Sequence, residues 1–358
     1  MTAAVASRPR RLPREVGDID AVWLTAALAR NYPGVEVRSA YVGDVTVGSA
    51  TRVRLLLDYN DAGHEAGLPP TMWLKGTFIR HDHTYDIGMV GEAHFYLHWA
   101  ADLPIRLPKA YYAEADTEIG QGLVLLEDLL ARNVRFGTAF KPLSLDEQQA
   151  TLEYLAAFHA RWWGSPRLAE LPPMSNHFAR IVPTFDHQLE PSYYAASLAR
   201  RWPSAPAAYR DPDRIWAAIR ANWRQGAEQP RCMIHGDPHA GNMYFERDGR
   251  PAYLDWQTLS GPYMHDVGYS LVGNITPADR RRGDRDLIAG YLAALRRNGV
   301  ENPPDFEDAW LAYRRTLIHG YMWVACPAEM QPEEICAASA ERFVEAVADL
   351  DTFGALGL

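Results

Sequence analysis

Hydrophobic and polar positions alternate with a period of two in several short runs early in the chain, then switch to helical spacing after residue 144. A short helix is predicted over Asp20 to Arg30, ended by Asn31-Tyr32-Pro33-Gly34. Strand-like runs follow at Val35 to Asp44, Arg52 to Tyr59, Thr71 to Phe78, Pro108 to Glu114 and Gly122 to Glu127. In the second of these, Val53, Leu55 and Leu57 alternate with Arg52, Arg54 and Asp58, the pattern of a strand with one buried face. A single helical segment, Asp86 to Asp102, interrupts the strands. Together they predict a mostly antiparallel sheet with one helix against it, an α+β arrangement.

Past this region the pattern is helical. Ser144-Leu145-Asp146-Glu147 reads as a capping box opening a helix to Trp163. Residues 164–231 are rich in Pro and Trp and read as irregular helices and loops. A strand-turn-strand region spans Cys232 to Trp256. Further helices are predicted from Thr276-Pro277, near 305–325 and near 332–352. The boundary between the strand-rich and helix-rich parts is expected within 128–143.

Composition narrows the function. The chain has 358 residues, 47% hydrophobic and 23% charged, enough for two lobes with substantial interiors. Its net charge of −9 argues against a nucleic-acid coat, which needs clustered positive charge. No apolar stretch is long enough to span a membrane. The first fourteen residues carry four arginines and no acid, but lack an apolar core and are broken by prolines, so a solvated terminus is expected. Cys232, Cys326 and Cys336 form no CxxC pair, and a cytoplasmic protein is expected. Of thirty-six basic residues only Lys75, Lys109 and Lys141 are lysines, so a lysine kept inside an apolar strand raises a chemical question.

The chemistry concentrates in Met233-Ile-His-Gly-Asp-Pro-His-Ala-Gly-Asn-Met-Tyr-Phe245, followed by Ala252-Tyr-Leu-Asp-Trp-Gln257. Asp237, Asn242 and Asp255 are oxygen-bearing side chains flanked by short apolar pairs. Two short strands joined by a turn would set Asn242 beside Asp255, with Asp237 on the preceding loop. Such oxygens suit Mg²⁺, a hard cation that also takes phosphate oxygens. A further carboxylate nearby could accept the proton of an attacking hydroxyl. A zinc hydrolase using His235, Asp237 and His239 as ligands is the rival chemistry, though the remaining histidines form no second ligand motif.

The segment resembles the catalytic loop and metal-binding strand of the aminoglycoside phosphotransferase-like kinase superfamily, which reads H-G-D-x-H-x-x-N and then D-[FW]. That group includes choline and ecdysteroid kinases and shares the two-lobed protein-kinase-like fold. The resemblance implies that Asp237 is the catalytic base and that Asn242 and Asp255 hold Mg²⁺. It also implies that His235 braces the loop and that Asp266 is structural. Lys75, mid-strand in Thr71-Met-Trp-Leu-Lys-Gly-Thr-Phe78, matches the phosphate lysine, and Glu92 the carboxylate that holds it. Gly48, Ser49 and Thr51 fall where the family folds a loop over the phosphates. Glu127, Asp128 and Leu129 fall at the hinge, where backbone groups would meet the adenine edge. His159 reads as a packed core histidine. The implied lobes are a tail and helix over 1–34, a nucleotide-binding lobe over 35–128 and a helical lobe over 129–358.

The implied reaction moves the γ-phosphoryl of ATP, or GTP, to a small-molecule hydroxyl. Gly236 replaces the arginine that senses a phosphorylated loop in protein kinases, and ten residues between Asp255 and Asp266 leave no room for a long activation segment. A nucleotide-binding pseudokinase scaffold is the alternative from another class, although the catalytic positions are filled. The 164–231 insert, expected to help bind the acceptor, carries nine arginines and six acids, whereas 257–358 carries nine arginines and fifteen acids. Aminoglycosides, other antibiotics, sugars, amino alcohols and hydroxyacyl thioesters all stay open as acceptors.

Overall fold

A computed structural model of the chain describes residues 12–48, 50–78, 86–171, 177–328 and 330–358. Ser49 and residues 1–11 lie outside the described residues. Two compact units are present. One runs to Asp102 and takes in Leu107–Val134; the other comprises Leu103–Arg106 and Arg135–Leu358.

The first unit begins with α1 (Ala21–Leu28), whose Asp20 cap accepts from the Trp23 amide at 2.7 Å. Next come β1 (Val37–Val47), β2 (Thr51–Tyr59), α2 (Asp61–Glu65), β3 (Thr71–Gly76), α3 (Asp86–His98), β4 (Ala110–Asp116) and β5 (Gln121–Glu127). The strands form one antiparallel sheet in the order β1-β2-β3-β5-β4. On one face Val53, Leu55, Leu74, Leu123 and Leu125 pack with Trp23 and Leu24 of α1. On the other, Val124 and Leu126 pack with Met89 and Ala93 of α3. Period-two alternation thus divides each central strand between two small cores.

Some boundaries differ from the sequence expectation. The helix predicted over 86–102 ends at His98 and continues as a tighter turn, Ala100–Asp102. β4 starts at Ala110, after Pro108, which lacks the N–H a ladder needs. α2, only five residues long and capped by Asn60, is too short to leave a periodic signal. The expected solvated tail gives way to packed chain by Leu12, which is buried, and the Pro13 carbonyl accepts from the Gln121 amide side chain.

The second unit holds β6 (Arg135–Phe136), α4 (Leu145–Trp162), α5 (His177–Gln188), α6 (Pro191–Arg201) and α7 (Pro212–Gly226). It continues with β7 (Arg231–Ile234), β8 (Met243–Phe245), β9 (Pro251–Tyr253) and β10 (Leu259–Pro262). It ends with α8 (Tyr263–Asn274), α9 (Pro277–Arg297), α10 (Phe306–Tyr321), α11 (Glu333–Asp349) and α12 (Thr352–Leu356). The Ser144–Glu147 capping box forms and opens α4. The segment expected to hold irregular helices and loops contains α5, α6 and α7. Pro191 and Pro212 sit at first helical turns, where a missing N–H costs nothing, so these two prolines start helices, whereas Pro183 lies inside α5. β6, β8 and β9 form one small antiparallel sheet, and β7 pairs with β10. β10 reads Leu-Ser-Gly-Pro and carries no strand pattern of its own. Every residue of α8 is buried, making it the centre of the helical core. Among the described residues no helix is long and apolar enough to cross a membrane.

Candidate active site

β7 delivers the chain into His235-Gly236-Asp237, and the loop is held from below by Asp266 in the first turn of α8. The fully buried Asp266 carboxylate accepts the His235 amide at 2.6 Å and the Gly236 amide at 3.0 Å. His159 of α4 reaches the same carboxylate at 3.1 Å through Nε2, with its Nδ1 2.8 Å from the Tyr291 hydroxyl. Burial alone would push the Asp266 carboxyl up, but His159, then His265 and His235, outweigh it and hold it below its usual value. A charged carboxylate thereby stands under the loop with its oxygens satisfied. Gly236 takes φ +91°, and a Cβ there would meet Leu259 at 2.5 Å, so both conformation and space require glycine.

His235 ties the loop to the next strand. Its Nδ1 accepts the Asp237 amide at 3.2 Å, its Nε2 donates to the Leu254 carbonyl at 2.8 Å, and its ring packs 4.8 Å from both Tyr253 and Trp256. Burial lowers its pKa, consistent with a neutral ring carrying its proton on Nε2.

Asn242 closes the far end of the loop. Its Nδ2 donates to the Asp237 carbonyl at 3.0 Å and to Asp237 Oδ2 at 3.2 Å. The Asn242 carbonyl accepts the Leu254 amide at 2.8 Å, and β8 pairs with β9, so Asn242 and Asp255 lie side by side at the ends of adjacent strands. Asp255 stands at φ +63°, a left-handed backbone unusual for aspartate, and its Oδ1 accepts from Gln257 at 3.3 Å.

Asp237 Oδ2 is also 3.5 Å from His239 Nε2. Burial would raise the Asp237 carboxyl, yet His239 and His235 outweigh it and keep it below its ordinary range. The reciprocal attraction raises His239 against the opposing effect of burial. His239 Nδ1 accepts the Gly241 amide at 3.0 Å, so the ring proton belongs on Nε2, facing Asp237. Tyr269 of α8 completes the surroundings. Its hydroxyl accepts from the Trp323 indole at 2.8 Å, the Trp323 ring lies edge-on to His239 at 5.8 Å, and burial, then the Asp237 charge, push the Tyr269 hydroxyl up. Neither Tyr269 nor Trp323 carries a motif, and only the fold puts them here.

In the first unit, Lys75 Nζ of β3 lies 2.6 Å from Glu92 Oε2 of α3, both nearly buried. Gly48 donates its amide to the Ala50 carbonyl at 3.2 Å in the turn between β1 and β2. Thr51 pairs with Gly76 and Arg52 with Lys75, so the buried Thr51 side chain faces away from Lys75, and Arg52 shares the lysine's face. Any approach of Thr51 to a phosphate would run through its backbone. Glu127 pairs with Arg132 at 3.0 Å and accepts the Lys109 amide at 2.8 Å. Asp128 accepts from Arg54 at 2.7 Å, Trp73 at 3.1 Å and the Leu130 amide at 3.1 Å. Burial would raise Asp128, but Arg54, Thr71 and Trp73 carry it below its usual value. The acidic side chains at 127 and 128 are therefore engaged in the fold, and Leu129 is buried.

Residues 79–311 match the Phosphotransferase enzyme family (APH). The chain belongs to that family. Among solved structures it is similar to an aminoglycoside-3'-phosphotransferase of type VIII, at 17% identity over 81% of this chain and 95% of that one, with a TM-score of 0.46. It is also similar to the choline kinase LicA from Streptococcus pneumoniae, at 15% identity, coverage of 88% and 94%, and a TM-score of 0.47. A choline kinase from Cryptosporidium parvum Iowa II aligns at 12% identity, coverage of 91% and 95%, and a TM-score of 0.48. No sequence among curated proteins matches the chain.

This phosphotransferase is thus an enzyme acting on small molecules, with the kinase-like order of an antiparallel sheet followed by a larger helical part. Its geometry counts against His235 as a zinc ligand. A zinc ligand needs an imidazole lone pair, and the His235 lone pair on Nδ1 accepts the Asp237 amide while Nε2 donates to a carbonyl. The donor set instead fits a hard cation. With its Nδ2 turned to Asp237, Asn242 directs its amide oxygen away from that residue, and Asp255 adds a carboxylate on the neighbouring strand.

Proposed function

We propose that this protein transfers the γ-phosphoryl group of ATP, or GTP, to a hydroxyl of a small molecule, with Asp237 as the base. The observation that carries the reading is the anchored Asp237. Asn242 and His239 both address Oδ2, which leaves Oδ1 the oxygen to meet an acceptor hydroxyl and take its proton. A carboxylate held below its usual range stays ionised at neutral pH, so it is always ready to accept. Phosphoryl transfer depends mainly on positioning, which explains why so many hydrogen bonds fix the loop and so few groups are chemically active.

Asn242 and Asp255 would hold Mg²⁺, which supplies charge neutralisation on the phosphates when bound. Lys75, braced by Glu92, would bind phosphate oxygens as an ammonium point charge. Backbone groups around Glu127, Asp128 and Leu129 would meet the base, because the acidic side chains there are already engaged.

The test is ADP release across a panel of alcohols, sugars, amino alcohols, aminoglycosides and hydroxyacyl thioesters, comparing wild type with Asp237→Asn. Removing a general base costs on the order of 10²–10⁴ in rate. We expect Mg²⁺-dependent ADP release from the wild type with at least one acceptor, a fall of about 100-fold or more in the variant, and unchanged ADP binding. Nucleotide binding without turnover on any acceptor would favour a scaffold instead.

A further inference from the structure

The hairpin of β2 and β3 sets two cations directly opposite each other. Arg52 and Lys75 are antiparallel partners, so their side chains leave the same face of the sheet, with Cβ atoms about 5 Å apart. Like charges in that position disfavour the pairing unless something offsets them. Arg54, next on this face, has Asp128 at 2.7 Å and Asp44 at 3.8 Å. Lys75 has Glu92 at 2.6 Å. Arg52 is exposed and, among the described residues, has no carboxylate partner; its neighbour on β1 is the uncharged Thr46. Of these three cations, Arg54 and Lys75 are matched by anions of the protein itself and Arg52 is not, among the described residues.

The unmatched charge is the second residue past the turn carrying Gly48. We propose that Arg52 binds the terminal phosphates of the nucleotide beside Lys75. The inference rests on the kinase reading above and adds a residue that the sequence motifs did not supply. A polyanion at this face supplies the counter-charge that Arg52 lacks beside the already paired Lys75. The planar guanidinium also contributes what the lysine lacks, a two-pronged donor matched to a phosphate's oxygens. Thr51 cannot do this with its side chain, which the register sends to the opposite face.

The experiment measures binding of ATP, ADP and adenosine, with Mg²⁺, to the wild type, Arg52→Gln and Arg52→Lys by calorimetry, with a thermal melt of each as a folding control. A lost charge-assisted contact to phosphate corresponds to an affinity change of about tenfold. The expected result is about tenfold weaker ATP binding by R52Q, a smaller loss for ADP, adenosine unchanged within about twofold, and partial recovery in R52K. Equal losses for all three ligands, or ATP affinity within about twofold of wild type, would overturn the role of Arg52 while leaving the kinase reading intact. A wild type that binds ADP and ATP no better than adenosine would sink both, since no phosphate site would then exist.

Discussion

Asp266 illustrates how much of this active loop depends on a residue expected to touch no substrate. It receives two backbone amides and one histidine in a fully buried setting, and hydrogen bonds to a charged group contribute about 1.5–3 kcal/mol each. Removing it would orphan the amides of His235 and Gly236 and leave His159 without its carboxylate. Asp266→Ala is therefore expected to lower stability by about 3–5 kcal/mol, read as a drop in the urea midpoint. At the proposed metal-binding positions the expectation is different. Asp255→Asn keeps a side chain of similar shape but removes a charge. Its main effect should be a higher Mg²⁺ concentration for half-maximal activity, about tenfold or more, with little change in melting temperature.

Among the elements, α3 matters because it carries Glu92 to Lys75, and its seat on β5 is unusually close. A Cβ at Gly122 would lie 2.1 Å from the Met89 carbonyl, a backbone atom that cannot swing aside. Gly122→Ala must push α3 off the sheet and lengthen the 2.6 Å ion pair. The expected outcome is a loss of about 1–3 kcal/mol of stability together with weaker ATP binding, measured by thermal melting and calorimetry. The packing of an exposed helix residue such as His98 predicts neither effect, so His98→Ala serves as the control. Strand β10 shows the opposite relation between element and sequence. Its residues have no strand pattern, yet they pair with β7 and support the turn at Gly236 from the side.

For the whole molecule, the buried histidines set a pH limit. His235, His265 and His319 are all pushed below their ordinary value, chiefly by burial, so the folded protein resists protonating them. The unfolded chain takes those protons from about pH 6.5 downward, so it binds more protons than the native state there and stability falls with pH. A melting temperature that declines from pH 7.5 to 5.5 is expected, and a flat profile would contradict it. Asp237 and Asp266 act in a separate window. Their carboxyls are held below the usual value, so the stability they contribute is present above about pH 4 and disappears as pH falls through their native values.

The parts of this protein that could be read from the chain are those written in short-range terms. Alternation in β2, the capping box of α4, and the fixed spacing of Asp237, Asn242 and Asp255 depend on neighbours a few residues away, so local patterns carry them. The proline-rich insert could be read only as irregular helices and loops, because a proline at a first helical turn and one inside a loop look alike without their surroundings, so the bounds of its helices were not legible. Tertiary structure alone decided that Arg52 stands directly opposite Lys75, that Tyr269 and Trp323 meet beside Asp237, and that His159 reaches Asp266 across 107 positions of chain. Register and long-range contact are settled by packing of whole faces, and a side chain's partner far along the chain leaves no periodic trace in the sequence.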